Sequence, residues 1–236
     1  MCGRFTLRTP LKQVADAFDL EPTLLADGAE WPARYNIAPT QDVAVVRQLS
    51  GEGRKLGWLR WGLIPSWADD PAIGNRMINA RCETLATKPA FRDAFRRRRC
   101  LVVADGFYEW KQQTRPKQPY HIRLSDERPF AFASLWDHWQ RGELVIESCT
   151  IVTTDANELL RPLHDRMPVI LDPADYGTWL DPQCQEPEQL EALLATYPTD
   201  RMTMSAVSTV VNSASRDSPD CLTPAAAVKT QGVLFD

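Results

Sequence analysis

The 236-residue chain has little histidine, only three, and little glycine, only 11, and its six cysteines at 2, 82, 100, 149, 184 and 221 form no CxxC pair. Without that spacing a zinc site is excluded as a reading, and no metal or organic cofactor is expected. No stretch approaches the roughly 20 apolar residues that a membrane-spanning helix needs. MCGRFTLRTP at the start lacks the apolar segment of a secretion signal. There is no repeat, no low-complexity tract and no Gly/Ser-rich linker. One domain over residues 1–236 is therefore expected, monomeric, cytoplasmic and without a membrane partner. Roughly the last 15 residues are expected as a loosely ordered tail.

What is present is ordinary for a globular protein: 44% hydrophobic and 25% charged residues exclude disorder, collagen and coiled coil as descriptions of the whole chain. The net charge of −4 conceals a division. Residues 1–130 hold 21 Lys and Arg against 15 Asp and Glu, whereas residues 131–236 hold 6 against 16. Lysine is scarce, since 21 of the 27 cations are arginine. Arginine pairs with phosphate in bidentate fashion and stacks on bases, which lysine does poorly. Composition alone fits solvated faces equally well, and RRRR at 96–99 reads as the exposed end of a helix.

Runs rich in β-branched and aromatic residues predict strands at 43–49, 55–64, 100–105, 106–110, 118–124, 129–136 and 144–154. A short helix capped by Thr9 would bury Leu11, Val14, Ala15 and Phe18 on one face. Further short helices are expected at 84–98, at 155–161 after Asp155, at 173–180 and at 188–196. Segment 21–41 and the stretch from Asn212 onward read as irregular. The sum is a compact β-rich α+β domain with short flanking helices.

Cys100 and Cys149 read as small buried hydrophobes. Cys2 differs. Removal of Met1 would leave an amine and a thiol on adjacent carbons, and such a 1,2-aminothiol condenses with an aldehyde, first to an imine and then to a thiazolidine. An α-amine titrates near ~7.7–8 and a thiol near ~8.5, so both nucleophilic forms are accessible at neutral pH. Gly3 allows a tight turn and Arg4 offers an anion clamp. In INAR at 78–81, Asn79 can pair with an amine while Arg81 takes a phosphate. In ADGFYEW at 104–110, Glu109 stands among Phe107, Tyr108 and Trp110; burial there would raise its pKa toward a useful acid/base range, although strand alternation could equally turn it to water. His164, in LHDRMP, sits in a loop between a helix and the strand MPVIL, whereas His121 and His138 read as structural. Of Trp58, Trp61 and Trp67, the last is the candidate for an exposed base-stacking platform.

Taken together, MCGRF at 1–5, RYNIAPT at 34–40, WGLIPSW at 61–67, INARCET at 78–84, ADGFYEW at 104–110, IVTT at 151–154 and LHDRMPVIL at 163–171 resemble the SRAP family, the SOS response-associated peptidases or abasic-site processing proteins. The resemblance implies a β-rich α+β fold with a positively charged cleft for single-stranded DNA containing abasic sites. It implies covalent capture of the ring-opened sugar by Cys2 as a thiazolidine, lyase-like imine chemistry and autocatalytic removal of Met1. By the same resemblance Asn79 holds the reacting N-terminus, Glu109 is the acid/base for imine formation and release, and His164 assists opening of the sugar ring. Arg4, Trp67, Arg81, Thr153 and Arg166 match positions that grip phosphates or stack bases. The protein would be nucleoid-associated when bound to DNA.

One segment departs from the family pattern. Trp67 is followed by Ala68 where two adjacent aromatics are expected, and ADDPAIGNRM before Ile78 is long. Two other function classes stay open on the residues alone. An N-terminal-nucleophile amidohydrolase would also use a terminal cysteine, and a noncovalent single-strand-binding module would leave Cys2 incidental.

Overall fold

The apolar and β-branched runs form strands throughout the residues described by this computed structural model, which are 2–20, 30–48, 53–111 and 117–225. In chain order the strands are β1 (Phe5–Leu7), β2 (Arg34–Ile37), β3 (Asp42–Gln48), β4 (Arg54–Trp61), β5 (Asn79–Arg81), β6 (Arg99–Ala104), β7 (Gly106–Lys111), β8 (Gln118–Leu124), β9 (Phe130–Arg141), β10 (Leu144–Asp155), β11 (Arg166–Pro168), β12 (Ile170–Leu171) and β13 (Met202–Ala206). Short α-helices lie outside them: α1 (Leu11–Phe18), α2 (Arg92–Arg97), α3 (Tyr176–Leu180) and α4 (Pro187–Glu191).

Strands β3, β4, β10, β9 and β6 pair in a closed ring, β6 joining back to β3, so the central sheet is barrel-like and its inner strands have no free edge. The long β9–β10 hairpin turns through Gly142 and Glu143, with Gly142 at φ 56°, which a side chain would resist. A second sheet, in the order β13-β8-β7-β1-β2, packs against the barrel. Phe5 of β1 and Phe107 of β7 set their rings edge-on to Phe132 of β9 at 5.8 and 5.9 Å, and Phe5 also meets Trp61 at 5.2 Å. Each buried Phe is worth about 1.5–3 kcal/mol, so this cluster fixes the start of β1 against the barrel. That contact is what places the N-terminal residues.

Several sequence expectations hold. The seven predicted strands are found within a few residues of their expected bounds, α1 buries Leu11, Val14, Ala15 and Phe18, and residues 173–180 are helical, beginning with a 3-10 turn. Others are corrected. Thr9 does not cap α1; Pro10 stands at that position, and the Thr9 hydroxyl is given to Asp105 at 3.0 Å. Residues 84–98 are not one helix, because Pro89 interrupts them and α2 begins only at Arg92. Asp155 ends β10 instead of capping a helix, and a turn capped by the Asn157 side chain follows. The helix expected at 188–196 stops at Glu191. Arg99 is not exposed: its guanidinium is buried and donates to the carbonyls of Phe95, Arg96, Trp179, Asp181 and Cys184. Most of the expected tail, and residues 21–29 of the expected irregular segment, lie outside the described residues.

Ala68 is buried beside Ile64 and Trp139, and its carbonyl accepts from Trp139 Nε1 at 2.7 Å and from Arg141 at 3.1 Å. The long segment after it forms a 3-10 helix over Pro71–Arg76, capped by Asp70. Gly74 of that helix touches Gly62 so closely that a Cβ on either would come within 2.6 Å of the other's carbonyl oxygen. Only glycines permit this contact.

Candidate active site

Residues 2–4 run into β1 beside β7, where the Tyr108 amide donates to the Arg4 carbonyl at 3.0 Å. The chain therefore lays Cys2 alongside the strand that carries Glu109. Cys2 is fully buried, and its thiol lies 3.8 Å from the Arg4 carbonyl. Burial first, and then the nearby charge of Glu109, push the thiol pKa up to about 12. The thiol thus stays protonated at neutral pH. Glu109 is itself only 3% exposed, so β7 turns it inward and not to water. Its Oε1 accepts from the Trp110 amide at 3.2 Å.

Asn79 reaches the same place from the barrel. It lies on β5, parallel to β10 with Ile151 opposite, and Trp61 Nε1 holds the preceding Ile78 carbonyl at 2.8 Å. Asn79 Nδ2 donates to the Cys2 carbonyl at 2.9 Å, whereas its buried Oδ1 has no hydrogen-bond partner among the described residues. An unsatisfied buried amide oxygen is costly and marks a place prepared for a donor. His164 approaches from the loop before β11. Its Nδ1 is 3.0 Å from the Arg166 amide nitrogen and 2.7 Å from Asp165 Oδ1. In the neutral ring the amide donates to Nδ1 and the proton sits on Nε2; in the protonated ring Nδ1–H turns to Asp165. Glu109 and His164 line one cleft of about 510 Å³ with Gly3, Arg4, Trp110, Lys117 and Asn212.

Of the five residues expected to touch DNA, Arg4 lines this cleft. Its Nη1 donates to Asn36 Oδ1 and to the Val211 carbonyl, both at 2.9 Å, and its guanidinium lies 5.9 Å from the Trp110 ring. Trp67 is 55% exposed and Arg81 is exposed on β5, two residues from Asn79 and so on the same face of that strand. Neither belongs to the cleft lining. Thr153 and Arg166 do not face outward. The Thr153 hydroxyl donates to Ala80 at 3.4 Å, and Arg166 Nη1 and Nη2 are taken by Glu83, Asp155 and the Thr153 carbonyl at 2.6–3.0 Å. These two residues tie β5, β10 and β11 together behind Asn79. The hydrogen bond from Arg166 also holds the Glu83 carboxyl below its ordinary range.

Sequence reasoning overlooked Trp110, Lys117 and Asn212 as cleft residues. Trp110 Nε1 donates to Asn212 Oδ1 at 2.7 Å, and Asn212 Nδ2 donates to the Lys117 carbonyl at 3.2 Å. Nothing local signals that Asn212 returns to the N-terminus. The links are long-range: Asn36 Nδ2 donates to the Ser213 and Arg216 carbonyls at 2.9 and 2.6 Å. No cluster of three or more His, Cys, Asp or Glu among the described residues could hold a metal ion, and no described helix is long and apolar enough to cross a membrane.

The chain is similar to known proteins over most of its length. The chain is 43% identical over 224 residues to the abasic site processing protein YoqW of Bacillus subtilis, covering 94% of this chain and 99% of that one. It is 32% identical to the abasic site processing protein HMCES of Xenopus tropicalis, covering 87% of this chain and 69% of that one. Among solved structures, a Bacteroides thetaiotaomicron protein matches with TM-score 0.82 at 24% identity, over 95% of this chain and all of that one, a likeness of fold. A phage-related Bordetella bronchiseptica protein matches with TM-score 0.65 at 30% identity, over 87% of this chain and 94% of that one. Residues 1–214 match the model of the SOS response associated peptidase (SRAP) family, and the chain belongs to that family.

Proposed function

We propose that this protein processes abasic sites in single-stranded DNA, and that it does so by capturing the ring-opened sugar on Cys2 after Met1 has been removed by the protein itself. The observation that carries this reading is the hydrogen bond from Asn79 Nδ2 to the Cys2 carbonyl beside a buried Glu109, with Asn79 Oδ1 left unspent. Once Met1 is gone, the new α-amine stands on the carbon next to that carbonyl, and Oδ1 is the acceptor that orients it.

The steps follow from the groups that line the cleft. Protonated His164 gives its Nε2 proton to the ring oxygen of the abasic sugar while the Glu109 carboxylate takes the proton of the C1′ hydroxyl, and the C1′ aldehyde opens. The amine attacks first, because the thiol is held protonated by its raised pKa. Glu109, now carrying that proton, gives it to the departing hydroxyl of the carbinolamine and takes the proton of the nitrogen, so one water leaves and an imine forms. The Cys2 thiol then adds across the C=N bond, sulfur to carbon and proton to nitrogen, and closes the thiazolidine. Reversal retraces these steps with Glu109 returning the protons. Arg4 and Lys117 give the cleft its positive charge, Arg81 and Trp67 extend the contact surface for phosphate and base, and aldehyde chemistry confers lesion specificity. Arg166 and Thr153 serve the strand indirectly, by holding β5.

A denaturing gel tests the reading. A covalent band is expected with single-stranded DNA bearing one abasic site, absent with intact DNA and absent for Cys2→Ala. A band that persists in Cys2→Ala would overturn it.

A further inference from the structure

Asn212 belongs to two walls. It lines the cleft of Glu109 and His164, and it also lines a second cleft of about 410 Å³ with Val210, Ser213, Arg216, Ser218 and Asp220. The segment that builds this second cleft is held from both sides. Asn36 Nδ2 takes the Ser213 and Arg216 carbonyls, and Asp217 accepts from the Tyr35 and Asn36 amides and pairs with Arg34. The backbone on either side of Arg216 is thus fixed, while its guanidinium is exposed and makes no hydrogen bond or ion pair among the described residues.

We infer that this second cleft is a nucleotide subsite: it receives the nucleotide on one side of the abasic sugar, with Arg216 on its phosphate. The inference rests on the proposed function and extends it. The chemistry of the walls selects the ligand class. A cation on a fixed backbone suits a phosphodiester. The Asp220 carboxylate, which accepts from the Ser218 hydroxyl at 3.4 Å, would repel a bare anion, but it suits the amino edge of a base. The hydroxyls of Ser213 and Ser215, 2.9 Å apart, add further donors and acceptors, and half-exposed Val210 offers an apolar face. Among the described residues the two clefts share only Asn212, so the subsite serves one flank of the lesion and not both.

The test uses the full chain and an ordinary single-stranded oligonucleotide without a lesion, with noncovalent affinity measured from 50 to 200 mM salt. Each phosphate contact contributes about 0.7 to the slope of log affinity against log salt on a single strand. Arg216→Ala is expected to flatten the slope by about 0.7 and to weaken binding several-fold. Arg201→Ala, which removes an exposed cation paired with Asp172 at 3.2 Å, is expected to keep the parental slope. In a second arm, capture rates are compared for abasic oligonucleotides flanked only on the 5′ or only on the 3′ side. Arg216→Ala should shift the ratio of the two rates several-fold. A parental slope in Arg216→Ala, an equal loss in Arg201→Ala, or an unshifted flank ratio would overturn the subsite. The salt series needs no crosslink, so failure of capture itself would sink the proposed function and leave the subsite to stand or fall on its slope.

Discussion

The strands β1 and β7 meet two histidine-and-carboxylate corners, and the two are built to opposite ends. In one, Asp105 accepts from five donors: the Thr6 hydroxyl at 2.6 Å, the Arg8 amide, Arg8 Nε at 3.3 Å, and the Thr9 amide and hydroxyl at 2.8 and 3.0 Å. The Thr6 proton goes to Asp105, so His121 Nε2–H donates to Thr6 Oγ1 at 3.2 Å. Gly106 lies so close to this ring that any Cβ would collide with it. In the other corner, Asn79 Oδ1 is unspent, a thiol is held protonated, and His164 faces a cleft. Similar side chains serve structure where their hydrogen-bonding capacity is used up, and chemistry where some of it is kept back.

The contrast is broken most severely at Cys2. Cys2→Ala should abolish capture outright, and Cys2→Ser should leave no stable adduct, as read by denaturing gel. Glu109→Gln comes next, slowing both formation and reversal about 10²–10⁴-fold in single-turnover assays; an unaltered reversal rate would contradict its acid/base role. Asn79→Ala should slow capture about 10²-fold and cost about 1 kcal/mol of stability, because it removes the Nδ2 hydrogen bond to the Cys2 carbonyl.

The spent corner should answer in stability instead. Asp105→Ala strands five donors and should cost about 3 kcal/mol or more in denaturant unfolding, with the capture rate per folded molecule unchanged. A pH dependence of similar size belongs to the same corner. Burial, with help from the Arg8 charge, lowers the His121 pKa from 6.5 to about 4. The unfolded chain therefore binds the extra proton in that window. The corresponding stability is full above about pH 6.5 and is lost progressively as pH falls toward 4, by about 3 kcal/mol in total. His121→Gln should flatten the melting temperature over that range, and an unchanged pH profile would count against a neutral His121.

Much of this division was legible in the sequence. The long strands announce themselves through runs of β-branched residues in VAVVRQL and LVIESCTIVTT, and Cys2, Asn79, Glu109 and His164 stand in motifs distinctive enough to be picked out. The three- and four-residue strands β1, β2 and β5 carry too few residues for a period to register, yet they position the site. Local spacing also misplaced Thr9 and Arg99, because each spends its side chain on a partner far along the chain: Thr9 on Asp105, Arg99 on the carbonyls of Trp179 and Asp181. Thr153 and Arg166 fall to the same cause. The direction of each side chain is set by β5 and Glu83, which alternation along β10 and β11 does not reveal.

The central claim is that the unspent corner acts through the amine and thiol of Cys2 together. Intact mass after incubation with a single-stranded oligonucleotide carrying one abasic site, without a reductant, tests it most directly. The account predicts a protein that has lost Met1 and gained the oligonucleotide less one water, in the parental chain and not in Cys2→Ala. A trimmed, reduced Cys2 that gains no mass would contradict it.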